Sequence, residues 1–139
     1  MMKQHLTMNK RILIVDDDTG IVRFYHRYLS FEGYAVVIAD SCCAAETLLT
    51  SWRPDLIIID WCVPGICGDN WAMSLRARPD LAATPIIMLT KRNLPAATLN
   101  RMHDHRLIAL QKPFSLDQLS ATLAQLLALY PIAPPSDLL

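Results

Sequence analysis

The sequence predicts an α/β domain built on a doubly wound, five-stranded parallel sheet with helices on both faces. Two observations predict this fold class. Short continuous apolar runs, typical of strands buried on both faces, alternate along the chain with segments whose apolar residues recur at helical spacing. The length of 139 residues and the hydrophobic content of 53% also suit one compact domain with its own core.

The first strand and helix are predicted within residues 11–33. Arg11–Asp16 is a continuous apolar run that ends in acidic residues, and this pattern predicts a buried strand. Asp18 or Thr19 can cap the next helix, because a short polar side chain accepts a hydrogen bond from the free N–H groups of the first turn. Gly33 is placed to end this helix. Its inner face is predicted to carry Ile21, Tyr25, Tyr28 and Leu29.

Two further strand and helix pairs follow. Ala35–Ala39 is a second β-rich run, and Ser41 can cap a helix with alanine and leucine along its inner side. Leu56–Ile59 is the most β-branched segment and predicts the third strand. A loop containing proline and glycine comes next, and the third helix is predicted over Asn70–Arg78.

The last two pairs complete the alternation. Ile86–Leu89 predicts the fourth strand, a weaker helix is predicted near Pro95–His103, and Leu107–Leu110 predicts the fifth strand. Ser115 with Gln118 three residues later forms a capping box, which opens the final helix.

Polar side chains follow four of the five predicted strands. Asp16 and Asp17 follow the first strand, Asp60 the third and Thr90 the fourth, and Lys112 comes shortly after the fifth. The flavodoxin-like strand order 2-1-3-4-5 makes these four strands neighbours, so their carboxyl ends share the crevice where open α/β sheets bind ligands. Three clustered carboxylates need a small cation that prefers oxygen ligands, and a hydroxyl and an amine suit phosphoryl oxygens. We therefore predict a site for Mg²⁺ and a phosphoryl group.

Composition excludes several classes of function. Thirteen Lys and Arg balance thirteen Asp and Glu, so no overall field would draw the protein to nucleic acid or to an anionic membrane. No apolar stretch has the length of a transmembrane helix, and Met1–Asn9 lacks the apolar block of a signal peptide, so we expect a cytoplasmic protein. The cysteines lack zinc-ligand spacing and are expected to be reduced; they are Cys42, Cys43, Cys62 and Cys67.

Four motifs, taken in order along the chain, resemble the receiver domain of bacterial two-component response regulators, the fold of the chemotaxis response regulator. They are Ile12-Leu13-Ile14-Val15-Asp16-Asp17-Asp18, Asp60-Trp61-Cys62-Val63-Pro64-Gly65-Ile66-Cys67-Gly68, Pro85-Ile86-Ile87-Met88-Leu89-Thr90 and Lys112-Pro113-Phe114. Each motif alone is weak, but together, each at a strand end, they are highly specific. The resemblance implies a receiver domain at residues 10–129, an N-terminal extension at 1–9 and a Pro-rich C-terminal tail or linker start at 130–139.

The resemblance also implies a role for each polar strand end. Asp60 would be the phosphoacceptor, Asp16 and Asp17 would hold Mg²⁺ with Asp60 and the backbone carbonyl of Cys62, and Thr90 and Lys112 would bind the phosphoryl group. The donor would be a phosphohistidine on a sensor histidine kinase or phosphotransfer protein. The chain would then be a signalling phosphoacceptor with slow autodephosphorylation, not an enzyme, and would relay the signal by conformational change to a downstream effector or output domain that the sequence does not name. The family further implies a homodimer through the face from helix four to helix five, no direct binding of nucleic acid, and often a cis bond before Pro113.

Three positions depart from the family's usual pattern. Lys91 replaces the small residue that usually follows the threonine, and a cation there could crowd the pocket or bind phosphoryl oxygens. Ala109 stands where the family has an aromatic side chain that swings inward on phosphorylation. Met102–Arg106 lacks the usual glycine-alanine turn, so helix four is expected to be short or displaced. Our hypothesis is an intact phosphorylation site with altered signalling to the face formed by helix four, strand five and helix five.

Alternatives from other classes remain open. A phosphorylation-independent receiver would act only as a protein-interaction module. A haloacid-dehalogenase-like phosphatase would also use an aspartate after the first strand, but it needs a later acidic pair, and the later element here is Asp60 alone. A flavodoxin shares the fold, but its phosphate loop is rich in serine and threonine, whereas residues 16–20 here are mainly acidic.

Overall fold

The structure is a computed structural model that describes residues 9–62 and 68–129. Its strands are β1 (Arg11–Val15), β2 (Ala35–Ala39), β3 (Leu56–Asp60), β4 (Ile86–Thr90) and β5 (Leu107–Gln111). Its helices are α1 (Thr19–Phe31), α2 (Cys42–Leu49), α3 (Gly68–Arg76), α4 (Ala96–Asp104) and α5 (Leu116–Leu129), and a short 3₁₀ helix, Pro79–Leu81, lies between α3 and β4. The loop predicted after the third strand, with Cys67, and both chain ends lie outside the described residues. No helix in the described ranges is both long and apolar enough to cross a membrane.

The five strands form one sheet in the predicted order. All strand pairs are parallel, and the order is β2-β1-β3-β4-β5. Val15 is in register with Ile59, and Thr90 is in register with Gln111. Because parallel strands in register end at the same edge, the residues at and just beyond their carboxyl ends meet there.

Apolar side chains leave the sheet alternately on its two faces and form one cluster on each. On one face, α2, α3 and α4 bury Cys42, Ala45, Trp71, Ala72, Leu75 and Met102 against the strands. On the other face, α1 and α5 bury Val22, Tyr25, Leu29, Leu119, Leu123 and Leu126. Helices therefore cover both faces, which explains why the strands are continuous apolar runs.

Polar side chains cap three of the helices as the sequence predicts. Asp18, rather than Thr19, is the cap of α1 and accepts a hydrogen bond from the N–H of Ile21 at 3.2 Å. Ser41 caps α2 in the same way. The predicted capping box is present, because the Ser115 hydroxyl accepts from the N–H of Gln118 at 3.0 Å while the side-chain Oε1 of Gln118 accepts from the N–H of Ser115 at 2.8 Å.

The predicted bounds of the third helix were wrong, whereas the fourth helix lies where it was predicted. The third helix spans Gly68–Arg76, not Asn70–Arg78. Arg78 has an extended backbone, with φ −83° and ψ 131°, because the ring of a following proline disfavours the helical conformation. The fourth helix spans Ala96–Asp104 and begins after Pro95, which adopts an extended cap conformation. It has nine residues, as many as α3.

The arginine at the end of α3 joins two connections, the segment before β4 and the turn before β5. Arg76 is partly buried and donates hydrogen bonds to the carbonyls of Leu81 at 2.8 Å and Thr84 at 2.6 Å. It also donates to the carbonyl of His105 at 2.7 Å, in the turn between α4 and β5. In that turn Arg106 adopts a φ of 58°, so the conformation usually reserved for glycine is taken here by another residue.

Candidate functional site

A polar pocket opens at the carboxyl edge of the sheet. Its volume is about 390 Å³. The lining residues come from the ends of β3 and β4 and from the segments that follow β1, β3, β4 and β5; they are Asp16, Asp17, Asp18, Asp60, Trp61, Cys62, Leu89, Thr90, Lys91, Arg92 and Lys112. All the polar side chains predicted to converge are therefore in one pocket.

Three carboxylates form the acidic side of this pocket. One oxygen each from Asp16, Asp17 and Asp60 lies within 4.8 Å of the others. Asp16 is buried, Asp60 is partly buried and Asp17 is exposed. The neighbouring strands β1 and β3 bring these carboxylates together, because their register ends them at the same level.

The electrostatic environment of Asp16 indicates that a cation belongs here. Its Oδ1 accepts a hydrogen bond from the N–H of Asp18 at 3.0 Å, but its Oδ2 is buried without a hydrogen-bond partner. Burial raises the pKa of the Asp16 carboxyl, and the charges of Asp60 and Asp17 act in the same direction, against the Asp18 hydrogen bond and the charge of Lys112. An orphaned buried oxygen beside two more carboxylates suits Mg²⁺, which prefers a few carboxylate ligands.

Lysine forms the opposite wall of the pocket. The Lys112 ammonium donates to Asp60 Oδ1 at 2.7 Å, and both side chains are largely buried, with exposed fractions of 18% and 14%. Burial on its own would lower the pKa of Lys112, but the hydrogen bond to Asp60 and the charges of Asp60 and Asp16 raise the pKa above its ordinary value. The Lys112–Pro113 bond is cis, as the family resemblance predicted.

Thr90 lies between the acids and the lysine. It is the last residue of β4 and is 3% exposed. Its hydroxyl oxygen accepts a hydrogen bond from the N–H of Arg92 at 3.0 Å, and its carbonyl accepts from the N–H of Lys112 at 2.7 Å. The second bond holds the segment after β5 against the end of β4 and so positions the lysine.

Cys62 contacts the acidic cluster through its backbone. Its N–H donates to Asp60 Oδ2 at 3.2 Å, and its thiol is free and exposed. The structure therefore places Cys62 beside Asp60, while metal binding by its carbonyl stays a prediction. Of the other described cysteines, Cys42 is buried, whereas Cys43, the next residue of α2, is exposed.

Lys91 and Ala109, the two residues that depart from the family pattern, differ in their distance from the pocket. Lys91 lines the pocket and is exposed, so its side chain extends towards solvent at the rim. Ala109 pairs with Met88 in the sheet and packs against the α2, α3 and α4 side of the core. The structure thus brings Lys91, but not Ala109, together with the acidic cluster.

Arg92 and Trp61 were not predicted as site residues. Both line the pocket. The only sequence signal for either was adjacency, since Arg92 follows Thr90 by two positions and Trp61 follows Asp60 directly. Position in the sequence does not predict which way a side chain points at the end of a strand, because side chains stop alternating between the two faces of the sheet there.

A five-stranded parallel sheet of this order, with an acidic pocket and a lysine at its carboxyl edge, defines the receiver class of doubly wound domains. The chain belongs to the response regulator receiver domain family, whose sequence model matches residues 12–124. The curated response regulator MprA of Mycobacterium bovis is 34% identical over 120 residues, which cover 86% of this chain and 51% of that protein. The chain therefore spans about half the length of the curated relatives it matches.

Solved structures give the same result. The chemotaxis response regulator CheY4 of Vibrio cholerae is similar with a TM-score of 0.77 and 29% identity, over 86% of this chain and 99% of that one. The receiver domain of a signal transduction histidine kinase from Syntrophus aciditrophicus has a TM-score of 0.79 and 27% identity, over 90% of this chain and 95% of that one. Receiver sequences and receiver structures thus agree that this chain belongs to the receiver domain family.

Proposed function

We propose that this receiver takes a phosphoryl group from a phosphohistidine onto Asp60, with Mg²⁺ bound, and relays the signal by a conformational change. One observation carries the proposal. The carboxylates of Asp16, Asp17 and Asp60 lie within 4.8 Å of one another, while the Lys112 ammonium lies 2.7 Å from Asp60 Oδ1. This arrangement supports the proposal, because a carboxylate beside a candidate cation site and a positive charge suits phosphoryl transfer.

The residues that would hold Mg²⁺ are Asp16, Asp17, Asp60 and the backbone carbonyl of Cys62. The partnerless Oδ2 of Asp16 supports this assignment, because a buried carboxylate oxygen without a donor is costly unless a cation compensates it. When bound, Mg²⁺ would offset the mutual repulsion of the carboxylates and part of the charge on the phosphoryl oxygens.

In the proposed transfer, a carboxylate oxygen of Asp60 attacks phosphorus as the bond from phosphorus to the imidazole nitrogen breaks. The electron pair of the broken bond leaves with the imidazole. Asp60 needs no general base, since a carboxylate is already the nucleophile. The Lys112 ammonium and the Thr90 hydroxyl line the same pocket and would stabilise charge on the phosphoryl oxygens. The same pocket admits water, so we propose slow autodephosphorylation.

The partners follow from the family. Response regulators interact with histidine kinases or phosphotransfer proteins, and we propose one of these as the donor. The receiver domain is proposed to span residues 10–129, with 1–9 as an extension and 130–139 as a tail or linker start. Because the curated relatives are about twice as long as their matched part, the output of the whole protein is not fixed by the receiver. The homodimer through α4 and α5 stays a prediction.

Lys91 and Ala109 are proposed to modulate the receiver. Lys91 lies at the pocket rim, where its ammonium would bind phosphoryl oxygens. Ala109 gives β5 a small side chain in place of a ring, so a change at Thr90 would have no aromatic group on β5 to move.

The experiment is phosphorylation by a small donor, followed by the mass of the intact protein. With MgCl₂ and acetyl phosphate, the wild type is expected to gain the mass of one phosphoryl group, and Asp60→Ala is expected to gain none. Asp40→Ala is the matched control, because Asp40 follows β2 at the same sheet edge but does not line the pocket. A wild type that gains no mass, or a gain that persists in Asp60→Ala, contradicts the proposal. The first result would favour the phosphorylation-independent receiver.

A further inference from the structure

Trp61 is a wall shared by two cavities. It lines the acidic pocket, and it also lines a second cavity of about 220 Å³. The indole is partly buried and packs against the core cluster on the α2, α3 and α4 face. A displacement of this ring would therefore change the shape of both cavities at once.

The backbone on both sides of Trp61 is tied to the site. The N–H of Trp61 donates to the carbonyl of Leu89 at 2.9 Å, which extends the pairing of β3 with β4. The N–H of Cys62 donates to Asp60 Oδ2 at 3.2 Å, so a carboxylate oxygen of Asp60 closes a turn around Trp61. Any change at that oxygen alters the hydrogen bond that fixes the peptide after Trp61.

The second cavity separates Trp61 from helix α4. Its other lining residues are Asn70 and Met73 on α3, Thr98, Arg101 and Met102 on α4, and Leu107 on β5. Methionine side chains adopt several shapes at low cost, and a cavity wall makes few contacts that resist a shift.

Helix α4 is weakly anchored. Of its nine described residues only Met102 is buried, at 4% exposure, and the N-cap residue Pro95 makes no side-chain cap hydrogen bond. Elements with few buried contacts are those that move at low free-energy cost. Because Met102 lines the same cavity as Trp61, a shift of the indole would act on the one buried residue of α4.

We propose that Trp61 is a positioning residue that transmits the charge state of Asp60 to helix α4 through the second cavity. Trp61 would do the work of the aromatic side chain that is absent at Ala109. Among the described residues, Trp61 is the one aromatic residue in the lining of the acidic pocket and of the second cavity. This proposal rests on the proposed function, because phosphorylation of Asp60 is the change that Trp61 transmits in the cell.

The test changes the charge at Asp60 in two independent ways. One is the substitution Asp60→Asn, which removes the charge and keeps the shape of the side chain, and the other is acetyl phosphate with MgCl₂. Amide hydrogen exchange over residues 96–104 reports α4. Labelling with 5-fluorotryptophan and ¹⁹F NMR reports Trp61, whose resonance is assigned with Trp61→Phe, while Trp52 lines a different cavity and is the internal control.

Asp60→Asn is expected to change amide exchange in α4 by roughly threefold or more. It is also expected to move the ¹⁹F resonance of Trp61 and leave that of Trp52 in place. In a Trp61→Ala background the same change at Asp60 should leave α4 exchange unaltered, with β1 exchange as the check on the fold. Trp61→Leu, which keeps apolar volume without a ring, serves if the alanine variant does not fold. An α4 response that persists without the ring, or an unmoved Trp61 resonance, overturns the proposal.

The phosphodonor arm separates this proposal from the proposed function. If acetyl phosphate adds no mass, the proposed function fails, and the Asp60→Asn arm still decides the role of Trp61. If mass is added but α4 exchange does not respond in the wild type, the proposed role of Trp61 fails and Asp60 still stands as the phosphoacceptor.

Discussion

Asp16→Asn is expected to stabilise the metal-free protein and to remove its response to Mg²⁺. In the wild type the Asp16 side chain is 2% exposed and its Oδ2 has no hydrogen-bond partner. Asparagine keeps an oxygen that accepts from the N–H of Asp18, as Asp16 Oδ1 does at 3.0 Å. It also replaces the partnerless oxygen by an amide donor that faces the carboxylates of Asp17 and Asp60.

The magnitude follows from the separation of the charges. At 4.8 Å and an effective dielectric constant of about 20, two like charges repel by about 3 kcal/mol. Lys112 offsets part of this repulsion, and solvent screens the exposed Asp17. We therefore expect the free energy of unfolding to rise by about 1 to 2 kcal/mol, which also matches the cost of a buried unsatisfied acceptor.

The raised pKa of Asp16 fixes the pH dependence of this gain. A carboxyl whose pKa is higher in the folded than in the unfolded protein lowers the free energy of unfolding as pH rises through the folded pKa. The advantage of Asp16→Asn is therefore largest at neutral pH and disappears when the pH falls below the ordinary carboxyl range.

The assay is urea unfolding followed by circular dichroism at pH 7, with EDTA and then with MgCl₂. The free energy of unfolding of the wild type is expected to rise with Mg²⁺ by mass action, and that of Asp16→Asn is expected to stay unchanged. Asp17→Asn, at the exposed position of the cluster, is the control and should gain less in EDTA. If Asp16→Asn is less stable than the wild type in EDTA, the repulsion argument is wrong. If Mg²⁺ stabilises the variant as much as the wild type, Asp16 is not a metal ligand.

Three other substitutions test the account. Arg76→Leu is expected to lower the free energy of unfolding by about 3 kcal/mol in urea titrations, because five backbone carbonyls lose their donor. Arg78→Leu removes one side of a half-exposed ion pair and should lower it by less than about 1 kcal/mol. Equal losses in the two variants would argue against a special role for Arg76. Burial raises the pKa of Tyr34 to about 12. Because the folded protein then holds this proton more tightly than the unfolded chain, the free energy of unfolding of the wild type should fall by about 2 kcal/mol between pH 10 and 12. Tyr34→Phe should not show this loss, and parallel curves of unfolding free energy against pH for the two proteins would contradict the prediction. Lys91→Ala is expected to slow phosphorylation by acetyl phosphate several-fold in a mass-based time course, because a charge-assisted contact to phosphoryl oxygens is lost. An unchanged rate would contradict this contact, and a faster rate would mean that Lys91 crowds the pocket instead.

The sheet could be predicted from the sequence because its strands carry a local signal. The strands β1, β3 and β4 are short runs of buried apolar residues, and such runs are typical of parallel strands with both faces covered. The bounds of α3 could not be read in the same way. The helical periodicity continues to Arg78, but Pro79 sets the backbone of the residue before it, and this steric effect ends the helix at Arg76.

The core of the candidate site was also predictable, since strand order and register alone bring Asp16, Asp60, Thr90 and Lys112 to one edge. The position of Trp61 between two cavities was not. It depends on how α3, α4 and β5 pack, and these elements meet only in the folded chain. The hydrogen bonds from Arg76 to the turn before β5 join residues about thirty positions apart, and no local sequence pattern predicts them.

Locating the phosphoryl group at residue level tests directly whether Asp60 is the phosphoacceptor. After reaction with acetyl phosphate and MgCl₂, borohydride reduction converts a phosphorylated aspartate to homoserine, which peptide mass spectrometry identifies by position. We predict homoserine at position 60, none at 16, 17 or 18, and none at 60 when MgCl₂ is replaced by EDTA. Homoserine at another aspartate, or at none in the presence of MgCl₂, would contradict the assignment of Asp60 as the phosphoacceptor.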